Sequence, residues 1–457
     1  MKAPSKLSLF PSATLALLLL GLSPLAARTW QVDPAKGDDA ARAEGEPLRS
    51  VAKAIALAQP GDVIEITATQ EPLREGIVIA NRSGTQEQPI VIEGNGVELL
   101  GTAPLPATYE EVRPGVFRFP GLVKPLFGKE PNSKAIGSTF ARFFTVWNGK
   151  PNHMGRSSKG DRPALPKVEA LRPGEWTLEE ETLSLVIALE PGRTPEMEKI
   201  TTPVVHNGVA VRGNSSHWII RNLNVRQVLN DGFNLHGANS AIVFEKISAT
   251  ECGDDGISAH GTCELKVDGF VGRGNSTGIC HINESRSVQE NITLVENNAW
   301  NLMLLGSGEH VVKKSVVGVG KKGVRFAQQQ DGPCRVTLEE VRFVEEADHA
   351  DGKTAAADGK APIIHAGKGS EVVFDRVEVL QAGGTVDAGA KVTLRNSRID
   401  APEAKWEIQP GAAWTADHNS YRLAGLLWNG QAYDAATFAD YQKASTQDGD
   451  SRWQAGE

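Results

Sequence analysis

The chain has 457 residues, with 48 Lys and Arg against 56 Asp and Glu for a net charge of −8, and only 6% aromatic residues. That balance, with no Lys/Arg cluster interleaved with aromatics, argues against nucleic acid or an anionic membrane as the main partner. Four cysteines are too few for a disulfide scaffold of this length, while 47 Gly and 25 Pro suit many short strands and turns.

Residues 1–27 read as a signal peptide. Lys2 and Lys6 precede the apolar run Ala13–Gly21, and Ala26 and Ala27 offer small residues before Arg28, although Leu25 stands where a small residue is usual. The expected location is therefore secreted, periplasmic or extracellular. No later segment reads as transmembrane, so no stable membrane association is expected.

Residues 28–101 read as an N-terminal cap and the first coils of a solenoid. Ser50 is placed to cap a short helix whose Val51, Ile55 and Ala58 share one face, and Gln59-Pro-Gly-Asp62 ends it before the strand Val63-Ile-Glu-Ile66. Lying across the first coil, such a helix covers an otherwise open core. From 102 to 202 the coil rhythm stops, and Trp176–Leu178 and Leu183–Ala188 around an acidic turn predict a β-hairpin in a β-rich insertion. Packed beside the solenoid, this insertion is expected to form one wall of a cleft.

The main solenoid is expected over 203–400. Leu229-Asn-Asp-Gly-Phe-Asn-Leu-His-Gly237 and Cys252-Gly-Asp-Asp-Gly-Ile-Ser-Ala-His-Gly261 are one phrase written twice, 24 residues apart by Gly232 and Gly256. One coil of a parallel β-helix is about that long, so equivalent residues stack at a strand spacing of roughly 4.8 Å. Continuing through Gly278, Ala299 and Gly323 gives steps of 22, 21 and 24, an inward column of Phe233, Ile257, Ile279, Trp300 and Val324, and an outward column of Asn234, Ser258, Cys280, Asn301 and Arg325. Roughly nine to eleven coils are expected. Cys252 and Cys263 bracket the second phrase and either tie its loop or are simply buried. Glu346 through Gly359, with His349, reads as a surface loop. Residues 401–457, rich in Trp and Tyr, read as a last coil and cap.

These phrases carry a resemblance. Trp30–Asp38 with Ala58–Val63, Asp254-Asp-Gly-Ile-Ser-Ala-His260 and Gln447-Asp-Gly-Asp-Ser451 resemble secreted right-handed parallel β-helix proteins of the pectin-lyase-like superfamily. The resemblance implies an all-β fold, a right-handed parallel β-helix with an N-terminal capping helix and a β-rich insertion, and it leaves the reaction open. Asn230-Asp231-Gly232 is similar to the first motif of the polygalacturonase-type hydrolases, and Asp254-Asp255 to the second. His281 lies on the third coil without flanking glycines, and Lys321-Lys-Gly-Val-Arg325 supplies basic residues without the last motif.

The chemistry read from the ladder is paired-carboxylate hydrolysis of a polysaccharide or oligosaccharide. Stacked carboxylates push one pKa upward and leave a neighbour ionised, so Asp231, Asp254 and Asp255 are the expected acid/base set. His236, His260, His281, Asn230, Asn234 and Arg325 are expected to contact substrate. The hydrolase requires no cofactor. The alternatives are a lyase or epimerase acting on uronates, with Ca²⁺ on Glu251, Asp254 and Asp255 and a base among Lys321, Lys322 and Arg325, or a glycan-binding β-helix without turnover.

Overall fold

A chain with a period near 24 residues closes each coil by bending at fixed places, and left-handed backbone supplies the bends. Lys246, Gly269, Asn291, Lys314 and Glu340 all have positive φ, between 46° and 76°. Each follows a rung of the stack Glu245, Asp268, Glu290, Lys313 and Glu339, so the bends themselves stack into one edge. A glycine stands at only one of these rungs, and at the others single Asn, Lys and Glu residues are held in this conformation by the ladders on either side.

The computed structural model describes residues 27–40, 45–127, 132–346 and 363–454. The segment read as a signal peptide lies outside the described residues except for Ala27, and so does His349. The described chain is a right-handed parallel β-helix of about nine turns. One sheet stacks Val209–Gly213, Phe233–Gly237, Asp255–Gly261, Thr277–His281, Trp300–Leu305 and Val324–Ala327 in parallel register. Longer strands such as Ser240–Thr250, Glu264–Arg273 and Arg286–Val295 wrap the remaining faces. Inward columns of Val, Ile, Leu and Phe fill a continuous core.

Helix α1, Val51–Leu57, covers the first coil; Ser50 Oγ accepts from Lys53 N at 3.1 Å, and Val51, Ala54 and Ile55 are buried. At the far end α3, Phe438–Ser445, packs Phe438 and Tyr441 on the last coil. The terminal motifs are structural. Trp30 Nε1 donates to Asp62 at 2.9 Å, and Asp448 accepts from Tyr421 and Tyr441 hydroxyls at 3.0 Å each.

The chain from Thr102 to Pro203 leaves the solenoid and returns to it. Ile77–Ala80 before the excursion pairs directly with Val209–Gly213 after it, so the coil is unbroken. The excursion folds as two four-stranded antiparallel sheets, with the hairpin Trp176–Glu179 and Ser184–Ala188 in one of them, plus helix α2, Ser133–Arg142. Its core is its own, built on Phe117, Phe119, Phe143 and Trp176, and Leu229 of the solenoid joins it.

Two expectations need correction. On the fourth rung the ladder is displaced by two residues: Ile279 pairs with Leu302 and Leu302 with Val324, so Asn301, not Ala299, aligns with the glycines. Trp300 then belongs to the column of Asp255 and Thr277, and Met303, not Asn301, to the outward column. His281 is fully buried, aligned with Ala259 and Leu304 in the core, where its Nε2 lies 2.8 Å from Gln289 Nε2. It turns inward because it stands one residue past the outward Cys280, and alternation decides the face. Of the two readings of Cys252 and Cys263, burial holds, since all four cysteines are buried free thiols.

The interior histidines carry a testable pH dependence. Burial lowers His310 to about 3, far below its value in an unfolded chain. The unfolded state therefore takes up a proton below about pH 6.5 that the folded state refuses, and stability falls as pH drops, by about 2 kcal/mol from this group at pH 5. Asp231, whose folded pKa is raised, acts in the opposite direction. The measurement is thus the difference in melting temperature between wild type and His310→Asn from pH 7.5 to 5, which should narrow or reverse on acidification; a constant difference rejects the assignment.

Candidate active site

Three copies of one turn build the site. Asn207-Gly208, Asp231-Gly232 and Asp255-Gly256 occupy equivalent positions on successive coils. The turn glycines leave no room for a side chain: a Cβ on Gly232 would stand 2.4 Å from that of Ala249, and on Gly256 2.5 Å from the Gly278 carbonyl oxygen. Asn207 Oδ1 accepts from Asp231 N at 3.2 Å, and Asp231 Oδ1 accepts from Asp255 N at 3.0 Å, so each polar side chain caps the next rung. Asn234 Nδ2 donates to the other oxygen of Asp231 at 2.5 Å.

Asp231, Asp254 and Asp255 come together, each contributing an oxygen within 4.8 Å of the other two. They are 1–4% exposed. What covers them is the insertion. Arg142, the last residue of α2, donates from Nε to Asp254 Oδ2 at 2.7 Å. Lys159 Nζ bridges Asp254 and Asp255 at 2.8 and 2.5 Å. Ser158 Oγ donates to Asp254, while Ser157 Oγ and Lys159 N bond Ser276 Oγ at 2.7 and 3.1 Å.

This placement separates the three acids. Burial alone would raise Asp254, but Lys159 and Arg142 beside it hold its carboxyl well below the usual range. Burial and the Asp254 charge push Asp231 up to about 6 and also raise Asp255 well above the usual carboxylate range. The cluster thus holds one fixed carboxylate beside two whose protonated forms are favoured, Asp231 among them with a pKa of about 6, an arrangement suited to acid/base work.

His236 and His260 stack beside this cluster, ring centroids 4.1 Å apart and planes 11° from parallel, with Arg212 on the preceding rung. Ser258 Oγ lies 2.8 Å from His260 Nε2. Burial, then His236 and Lys159, lower His260 to about 4, so it is a neutral imidazole at pH 7. Asn230 supports the turn through Asn207, at 2.8 Å, and its Oδ1 is buried without a partner among the described residues. Arg325 is not brought to the cluster; it stands between Met303 and His365 on later coils. Glu251 accepts from Gln227 at 2.7 Å and is outside the carboxylate group.

The residues do not fit a divalent ion as arranged. Calcium asks for six to eight oxygen ligands, and the space between these carboxylates holds the Lys159 ammonium and the Arg142 guanidinium. The three acids were legible as a repeat; Asn207 and Arg212 were too, because Asn207-Gly-Val-Ala-Val-Arg-Gly213 is a third copy of the phrase. Arg142, Ser158 and Lys159 carry no periodic signal.

No protein-family model matches the chain, and no curated protein matches it. Among solved structures it is similar to a glycoside hydrolase at 11% identity and TM-score 0.48, covering 86% of this chain and 96% of that one. It is similar to an alginate lyase from Paenibacillus sp. at 10% identity and TM-score 0.44, covering 84% and 99%. A pectate lyase aligns at 12% identity and TM-score 0.39, covering 91% and 84%.

Proposed function

We propose that the chain is an exported carbohydrate-active enzyme that cleaves a polysaccharide by paired-carboxylate acid/base chemistry. The observation that carries this reading is the split of the carboxylates: Asp254 held ionised by Arg142 and Lys159, and Asp231 and Asp255 held protonatable by burial. In this reading one of Asp231 and Asp255, protonated, gives its proton to the leaving glycosidic oxygen and the other, ionised, takes the proton of the attacking water, while Asp254 stays a fixed carboxylate that orients Lys159 and Arg142. His236 and His260 line the outer approach and contact sugar hydroxyls. Because Lys159 lies across the acids, substrate reaches them when the Ser157–Lys159 segment moves aside.

One observation favours a second reading. His260 is neutral and lies near the cations Arg142 and Lys159, a combination that serves proton abstraction beside a neutralised uronate. Calcium has no step in either route.

A polysaccharide panel read for both reducing ends and unsaturated uronate products tests the proposal. New reducing ends without unsaturation support hydrolysis, and unsaturation supports elimination. Binding with neither product leaves a glycan-binding protein and overturns the catalytic reading.

A further inference from the structure

The insertion holds an open cleft of about 510 Å³, lined in part by α2, whose last residue covers the carboxylates. Its walls come from α2, through Gly137 and Phe140, from Leu165–Val168, and from the strand residues Thr177–Glu180. Arg156 enters this cleft. Its guanidinium donates to the Pro163 carbonyl oxygen, its Nε is buried without a partner, and among the described residues it has no ion pair.

The charges around it do not compensate Arg156. Glu179 is committed to Arg118, at 2.8 and 2.9 Å, and Glu180 and Lys167 are exposed at the wall. Arg162 adds a further positive charge nearby, and burial together with Arg162 lowers the Arg156 pKa. A half-buried guanidinium without a counter-ion costs stability unless a ligand supplies the anion, and its fork geometry matches a carboxylate. Phe140, Leu165 and Leu178 give the same cleft an apolar floor.

We infer that this cleft is a second binding site, for a small carboxylate with one apolar face, such as a sugar acid, whose charge pairs with Arg156. The site has a direct connection to the carboxylate cluster. Arg156 precedes Ser157–Lys159 in the chain, and Phe140 lies on the helix that ends at Arg142. A ligand here touches both elements that cover Asp254 and Asp255.

The test is calorimetric titration of the full chain with D-glucuronate, with D-glucose as the neutral control. Saturable glucuronate binding is expected, absent for glucose and weakened at least about 10-fold in Arg156→Gln, the scale of one lost charged pair. A His236→Ala/His260→Ala variant removes any glucuronate held on the carboxylate side, and the binding that Arg156→Gln weakens should persist in it. Loss in that variant with retention in Arg156→Gln places the ligand at the carboxylate cluster and overturns the inference, as does absence of saturable binding to wild type at about 10 mM. Near-ultraviolet circular dichroism confirms that Arg156→Gln is folded, since the side chain contributes only its bond to Pro163. None of these outcomes depends on turnover, so failure of the catalytic proposal leaves them readable.

Discussion

Asp255→Asn is expected to lower turnover on any polysaccharide the wild type cleaves by at least about 100-fold, with fold and substrate binding retained, the scale of a lost general acid or base. The substitution is close to isosteric. The backbone bond from Asp255 N to Asp231 does not involve the changed group, and an amide oxygen still accepts from Lys159. What the amide cannot do is give up or take a proton. Asp255 is the sharpest choice because burial and the Asp254 charge raise its pKa, which favours its protonated form over that of an ordinary carboxyl. If Asp255 only secures the corner and the insertion, turnover stays normal and the melting temperature falls. That result would retire its catalytic role.

Lys159→Met is expected to have the largest effect on stability. It leaves three carboxylates within 4.8 Å of one another facing only the Arg142 cation. Removing one partner of a buried ionic cluster costs about 3 to 5 kcal/mol, and the partial exposure of Lys159, 26% of its side chain, puts this variant toward the lower figure. The loss should be greatest at neutral pH. Asp254 loses a charge that holds its folded pKa below its unfolded value, so the stability that depends on its ionisation, present above the unfolded pKa, shrinks. As pH falls toward 4 the uncompensated carboxylates take up protons, and the variant should approach wild type. The vacated space also leaves three carboxylates that can accept a divalent ion, so added Ca²⁺ should raise the melting temperature of Lys159→Met and leave wild type unmoved. A variant as stable as wild type at pH 7 would show that Lys159 does not hold the insertion in place.

The two substitutions separate two roles that the geometry joins. Lys159 both closes the insertion over the solenoid and sets the charge of Asp254, so Lys159→Met moves stability and the pH profile together. Asp255→Asn changes the proton inventory alone. Agreement of both with expectation would identify the cluster as reactive and the insertion as its cover.

The sequence by itself determined the coil and the faces of its regular rungs. A period near 24 residues, with Asp-Gly at two successive turns and alternating strands after them, brings Asp231 next to Asp255 and His236 next to His260, because a solenoid converts period into adjacency. It failed on the fourth rung, where the turn glycine is replaced by Asn301 and nothing local marks the two-residue displacement. It also failed at His281, where reading a motif position overrode the alternation that places the residue in the core. Only the tertiary structure decided what covers the acids. Arg142 and Lys159 lie 112 and 95 residues before Asp254, on a helix end and a loop with no repeat. Their approach depends on how an insertion with its own core docks against the solenoid. That docking is set by packing at Leu229 and by charge at Asp254, neither of which has a sequence period to announce it.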